Sequence, residues 1–411
     1  MKNIFYKIFI IAYSSIFLIN EFYTIDRLGP QTIVLSILNF ICLFYLSSRV
    51  RENIDFTEFR LKLSSITTHY LIIFLSMIIF SFSAINTSEA IITLNHYFNL
   101  IISLYCLIIL MQRIENLKKF ILYSILTLLF IESGYIFFKI IEYYNLGDLW
   151  LGGFNRNFYV RGFTGNINIS AFSLAYKIPF LCYGFLIEKK LFIKIIISIF
   201  FIVSIIDIFH LGSRGAILAL LTTIIIYSIF IFRKKSLVYI LLLCAIGFGV
   251  SYLLLRKSEN LNPIERTNSI SFNTTDGSVD SRLRYYKEIL TYLVENSFKP
   301  IGIGMYKLYS VDFEKEYITD YRVPYHSHND FLEIGSETGI FGMIAFILLL
   351  IYPLIFFEKE INIKNLILLF SFIIYIFDSL INFPFARPAN ILIFLLILAF
   401  SYKKIELIKN A

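Results

Sequence analysis

The chain has 411 residues, 58% hydrophobic and 16% charged, with a mean hydropathy of +0.74, a balance that excludes a water-soluble globular protein. A helix crossing the hydrocarbon core needs about 20 mostly apolar residues, and such runs follow one another here, so the bilayer is the main solvent. The net charge of +8 would suggest an acidic partner in a soluble protein, but much of it lies in short joints between apolar runs, where it sets topology and argues for no nucleic-acid partner.

Apolar length and polar breaks predict an all-α integral membrane protein of about twelve transmembrane helices. The first six spans are expected over 4–19, 31–48, 67–84, 92–111, 119–142 and 167–187, and the rest over 192–210, 215–232, 237–255, 338–357, 365–383 and 389–402. The first run has basic flanks at Lys2 and Lys7 but no small-residue cleavage site, so it reads as a membrane helix rather than a cleaved signal. Cys42, Cys106, Cys182 and Cys244 fall inside apolar runs without paired or metal-like spacing and read as small packing residues.

Lys and Arg collect in alternate joints: Arg49–Lys62, Arg113–Lys119, Lys189–Lys194 and Arg233–Lys235, then Lys359, Lys364 and the tail Lys403, Lys404 and Lys409. Glu21–Pro30 and Ala84–Ala90 are nearly free of them. Both termini and every basic joint are therefore expected in the cytoplasm. Two outside segments are longer than the topology requires: Asn145–Asn166, with Trp150, Gly152, Gly153, Arg156, Arg161 and Gly165, and the stretch from Arg256 to about Glu337. The chain thus divides into a nine-helix bundle (1–255), an extracytoplasmic loop domain (256–337), and the last three helices with a cytoplasmic tail (338–411). Within the loop domain Asp280–Glu295 reads as an amphipathic helix, with Leu283, Tyr286, Leu290 and Leu293 on one face and Arg282, Arg284 and Lys287 nearby, closed by a tight turn at Pro300–Gly304.

Arg214, in Leu211–Ala216, sits between two apolar spans on the outside. It reads either as an interfacial arginine reaching lipid phosphate or as an anion-binding group that Gly212 and Gly215 let a ligand approach. Arg161, Arg282 and Arg284 are ordinary solvated charges or, gathered near span ends, a pyrophosphate site suited to guanidinium forks. His326–Asp330 precedes a span in a chain with five histidines. It offers a general base near neutral pH, a metal-ligand alternation of His326, His328 and Asp330, or a polar loop capping the next helix. Glu132, Lys139, Lys177, Asp207 and Asp378 lie inside apolar runs, where ionisable residues are costly. Lys177 and Asp207 are expected to pair between the sixth and seventh spans.

Four motifs together resemble the O-antigen ligase family of membrane glycosyltransferases, which includes lipid-linked glycan polymerases and protein O-oligosaccharyltransferases. They are His328-Asn329, nine residues, Gly339, two residues, Gly342; Ser213–Ala216; Ser281–Tyr286 followed by Pro300–Gly304; and Arg161–Ala171 entering the sixth span. Tyr286 departs from the tryptophan many relatives carry. The resemblance covers the fifth span to the tenth. It implies a bundle resembling the GT-C class in a bacterial inner membrane, with the active site on the periplasmic face. The donor would be an undecaprenyl-diphosphate-linked glycan and the acceptor a lipid A-core, a growing glycan or a protein, with no nucleotide sugar, cofactor or metal. In that chemistry His328 is the general base of a single, inverting displacement. Arg214 and Arg282 hold the departing pyrophosphate, assisted by Arg161 and Arg284. Asn329 orients the imidazole, Glu337 is a supporting acceptor, and Gly339, Gly342 and Tyr286 complete the site. The rival of another class is a transporter, a lipid-linked glycan flippase or polysaccharide exporter, whose polar site would lie near the bilayer midplane.

Overall fold

The computed structural model describes residues 2–19, 28–51, 65–150, 159–230, 234–255, 277–296, 299–317, 323–357 and 363–409. Gly152, Gly153, Arg156, the first part of the expected loop domain (256–276), and parts of the joints Glu21–Pro30, Arg49–Lys62, Arg233–Lys235 and the one holding Lys359 lie outside the described residues.

The described residues are helical, with no strand among them. In order they form α1 (Lys2–Ser14), a 3-10 turn (Ile16–Leu18), α2 (Leu28–Arg51), α3 (Ser65–Ser81), α4 (Thr87–Gln112) and α5 (Leu117–Trp150). Then come α6 (Ile167–Ala175), α7 (Ile178–Ile187), α8 (Leu191–Leu211), α9 (Arg214–Phe230) and α10 (Lys234–Leu255). The long segment between α10 and the next apolar helix contributes α11 (Gly277–Glu295) and α12 (Tyr306–Glu314). α13 (Asp330–Phe357), α14 (Ile363–Ile381), a 3-10 turn (Pro384–Ala386) and α15 (Pro388–Lys409) follow.

Each expected span meets an apolar helix. Among the described residues six stretches are long and apolar enough to cross a membrane: Leu28–Ser48, Thr87–Gln112, Leu117–Tyr143, Ile167–Ile187, Leu191–Leu211 and Asp330–Ile351. The apolar helices Ile4–Ser14, Tyr70–Ser81, Arg214–Ile225, Val238–Leu254, Leu369–Ile381 and Pro388–Phe400 are shorter. α15 is the axis of the bundle, buried from Pro388 to Ala399 among α1, α2, α4 and α14. Outward-facing Phe40, Phe44 and Phe82 are 71%, 68% and 89% exposed, a cost only a lipid environment removes. The four cysteines are free, three of them buried.

Two boundaries differ from expectation. The sixth span is two helices, broken at Tyr176–Lys177, because Pro179 in the first turn of α7 cannot continue the α6 ladder. The tenth begins at Asp330 rather than 338: its polar first turns, which read as loop, find partners inside the bundle, and the helix kinks at Gly339 (φ 74°, ψ −179°). The pairing expected between Lys177 and Asp207 is corrected. Lys177 Nζ binds Glu132 of α5 and donates to Ser173 Oγ at 2.9 Å, whereas Asp207 accepts from Ser133 Oγ at 2.5 Å. The break in the sixth span sets Lys177 against α5, so the fifth helix supplies its counterion.

α11 and α12 share a small apolar core of Ile289, Leu293, Ile301, Met305 and Tyr306, seated against Ala84 and Leu332. The expected turn is there, with Gly302 at φ 97° and Gly304 at φ 72°. A Cβ on Gly302 would lie 2.8 Å from Ala84 Cα, a backbone atom that cannot swing aside. Gly302→Ala combines that clash with a left-handed backbone and is expected to cost about 1–3 kcal/mol; thermal unfolding in detergent measures it.

The segments that charge places on one side meet at one end of the bundle. Gly302 abuts Ala84, Lys307 of α12 binds Glu89 of α4, and the 3-10 turn at Pro384–Ala386 touches the start of α13.

Candidate functional site

The His326–Asn329 turn is built by its own side chains. Asn329 caps α13: its Oδ1 accepts from Leu332 N at 3.1 Å, satisfying a backbone donor that the helix leaves unpaired. Asn329 is thus the N-cap of α13. Glu333, one turn on, accepts from Ser327 N at 2.8 Å and Ser327 Oγ at 3.1 Å through Oε2, while its Oε1 lies 2.8 Å from His326 Nδ1. Ser327 Oγ also donates to Asn329 O at 2.9 Å. So constrained, His328 takes φ 57°, a left-handed backbone that side-chain-bearing residues rarely adopt and that concentrates at functional sites. Asp330, the first residue of α13, accepts from Phe385 N at 3.0 Å and so fastens this turn to the one before α15.

Phe383 organises the groups above. His326 stacks on its ring at 4.2 Å, His328 meets it edge-on at 5.1 Å, and the Arg387 guanidinium lies over it at 5.1 Å. His328 Nδ1 is buried and makes no hydrogen bond among the described residues. Burial first, then the Arg282 cation, holds the His328 imidazole down to about 4, so it stands unprotonated at neutral pH.

Tyr286 of α11 brings the arginine helix to this turn: its hydroxyl lies 2.8 Å from His328 O and 3.3 Å from Leu380 O, at the end of α14. Arg282 is one helical turn earlier and shares that face.

The Arg214 turn arrives from the other side of the same helix end. Gly212, at φ 67°, ends α8 in the left-handed cap and lets the chain reverse into α9. The missing side chain at Gly215 admits Ile381 and Phe172: a Cβ there would lie 2.3 Å from Ile381 Cδ1. Arg214 thus starts a helix packed on Ile381, next to the Leu380 carbonyl that Tyr286 reaches. His328, Arg282 and Arg214 come from three distant stretches of sequence and converge on the end of α14.

The remaining expected residues lie elsewhere. Arg284 points to a different use: it binds Asp280, donates to Glu314 Oε2 at 3.1 Å and stacks on Tyr317 at 4.2 Å, tying α11 to α12. Arg161 belongs to a turn packed on α5 and α6. Ser170 Oγ donates to its carbonyl at 2.6 Å, and Phe163 stacks on Tyr135 at 4.3 Å. Glu337 accepts from Tyr306 N at 3.1 Å and so caps α12. Gly342 provides a smooth face on α13 against α3: a Cβ there would lie 3.1 Å from Ser76 Oγ.

Sequence reasoning missed Glu333, Phe383 and Arg387. Arg387 carried the signal that flagged Arg214, an arginine in a short joint between two apolar runs, here between Pro384 and Pro388.

Residues 199–347, from α8 into α13, match the family model described as O-antigen ligase. The segment contains Arg214, Arg282, Arg284, His328, Asn329, Glu337, Gly339 and Gly342; Arg161 and Arg387 fall outside it. No curated protein matches the chain.

Proposed function

The chain belongs to the O-antigen ligase family through residues 199–347, a family of ligase- and polymerase-type membrane enzymes, and from that premise we propose that it transfers a glycan from undecaprenyl diphosphate to an acceptor hydroxyl. The reading places it in a bacterial inner membrane as a GT-C-like enzyme, with this site on the periplasmic face and both termini inside. The observation that carries the proposal is Tyr286, whose hydroxyl spans His328 O and Leu380 O and so holds the arginine helix over the histidine turn.

In the reaction the acceptor oxygen bonds to the anomeric carbon as the bond from that carbon to phosphate oxygen breaks. His328 takes the acceptor's proton, and the electron pair leaves with the lipid diphosphate. Attack opposite the departing group inverts the anomeric centre. Arg282 and Arg214 face charge that grows on phosphate oxygens as the bond breaks, and fixed cations in a water-poor site act most strongly there. Every role falls to a side chain, so no metal is invoked, and transfer is expected to persist in EDTA. Arg161 is a peripheral helper in this scheme, while Arg284 and Glu337 hold α11 and α12 in place.

The flippase or exporter reading draws on the α6–α7 break, where a lysine meets a carboxylate between helices as transport sites do. That lysine is already bound by Glu132 and Ser173, which favours a structural role.

Glycan profiling of a deletion strain separates the acceptors. Lipid that lacks long chains while free polymer accumulates identifies a ligase, single repeat units identify a polymerase, and loss confined to glycoprotein identifies a protein acceptor. An unchanged profile in all three fractions would overturn the proposal.

A further inference from the structure

This inference rests on the glycosyl-transfer reading and adds a residue to it. In the intact donor each phosphate carries one negative charge. Once the sugar leaves, the electron pair of the broken bond adds a third charge, on the oxygen that held the anomeric carbon. Arg214 and Arg282 bear on the diphosphate as a whole, the two charges present before the bond breaks included. A group that meets the third is worth more, since it acts only as the bond breaks.

Arg387 is placed for that charge. Its guanidinium lies over Phe383, the ring that also carries His326 and the edge of His328, so the cation and the base share one aromatic support. The turn bearing it is firmly held. Arg387 N donates to Pro384 O at 3.1 Å, Arg387 O accepts from Asn390 N and Ile391 N at 3.0 Å, and Phe385 N is bound by Asp330. Beside the turn lies the buried His96 ring of α4, a neighbour of the Phe385 backbone.

We propose that Arg387 binds the phosphate oxygen set free when the glycosidic bond breaks, a third guanidinium of the donor site contributed from outside the family segment. The bond changes are those already given: the acceptor's proton goes to His328, the electron pair goes to the phosphate oxygen, and Arg387 meets the resulting charge without giving up a proton.

The test uses the full-length protein in vesicles, with a polyprenyl-diphosphate glycan as donor and labelled polyprenyl diphosphate as product probe. Arg387→Ala is expected to lower kcat by about 100-fold, the usual loss for one oxyanion donor, with the donor KM changed less than about threefold. It should also bind the three-charge product at least about tenfold more weakly, and Arg387→Lys should recover part of both losses. Wild-type kcat in Arg387→Ala, or a lower kcat with product binding unchanged in both variants, would overturn the assignment. Wild-type protein that fails to use the donor would instead overturn the glycosyl-transfer reading, and product binding by Arg387→Ala would still decide the role of Arg387.

Discussion

Replacing His328 by alanine is expected to lower glycan transfer by about 10²–10⁴-fold, the usual contribution of a positioned general base. Membrane insertion and thermal unfolding should stay near wild type, because the backbone carbonyl that Tyr286 uses is retained. The pH profile carries a sharper signature. Burial and the Arg282 cation hold the free imidazole down to about 4, so the acid limb of kcat/KM, which reports free enzyme, should fall near that pH. A bound diphosphate offsets the arginine charge and favours the protonated imidazole, so the acid limb of kcat should lie higher, towards the ordinary value of about 6.5. Two limbs at the same pH would show that the base does not feel the donor.

Lys177→Met is expected to cost about 3–5 kcal/mol, because it leaves Glu132 buried without its counterion. Lys177 and Glu132 are 1% and 0% exposed, so neither can turn to water when its partner is lost. The double change Lys177→Met with Glu132→Leu removes both charges and should recover most of the loss, since a buried pair is often no better than apolar residues of similar size. Unfolding in detergent measures both. Equal stability of the single and double variants would remove the pair from the account.

Much of this fold was legible because the bilayer imposes a simple rule: apolar runs of sufficient length are helices, and basic joints alternate. Every expected span meets an apolar helix, and segments assigned to one side touch one another at Gly302–Ala84 and Lys307–Glu89. The errors came where polar residues are buried for a reason that hydropathy does not carry. Asp330, Glu333 and Glu337 read as loop but begin α13, because Phe385, His326, Ser327 and Tyr306 take up their oxygens. Lys177 was expected to pair with Asp207 on the next span, and only the break before Pro179 sets it against α5.

The site was legible in part. His328, Arg282 and Arg214 stood out by residue type and by the family resemblance, and the contacts of Tyr286 and Gly215 bring their turns to the end of α14. Arg284 was expected to assist Arg282, yet two positions along a helix turn a side chain roughly 200° away, towards Glu314 and Tyr317. The Phe383 platform was not visible in sequence, because a lone aromatic in an apolar chain carries no signal until His326, His328 and Arg387 are found around it.

The most direct test is glycan transfer by the purified chain in vesicles, with a labelled undecaprenyl-diphosphate glycan outside and the acceptor identified by profiling. The account predicts labelled product from wild type, and almost none from His328→Ala or from Arg214→Ala with Arg282→Ala at equal folded protein. Undiminished transfer by both variants, or donor that crosses the bilayer without being consumed, would contradict it.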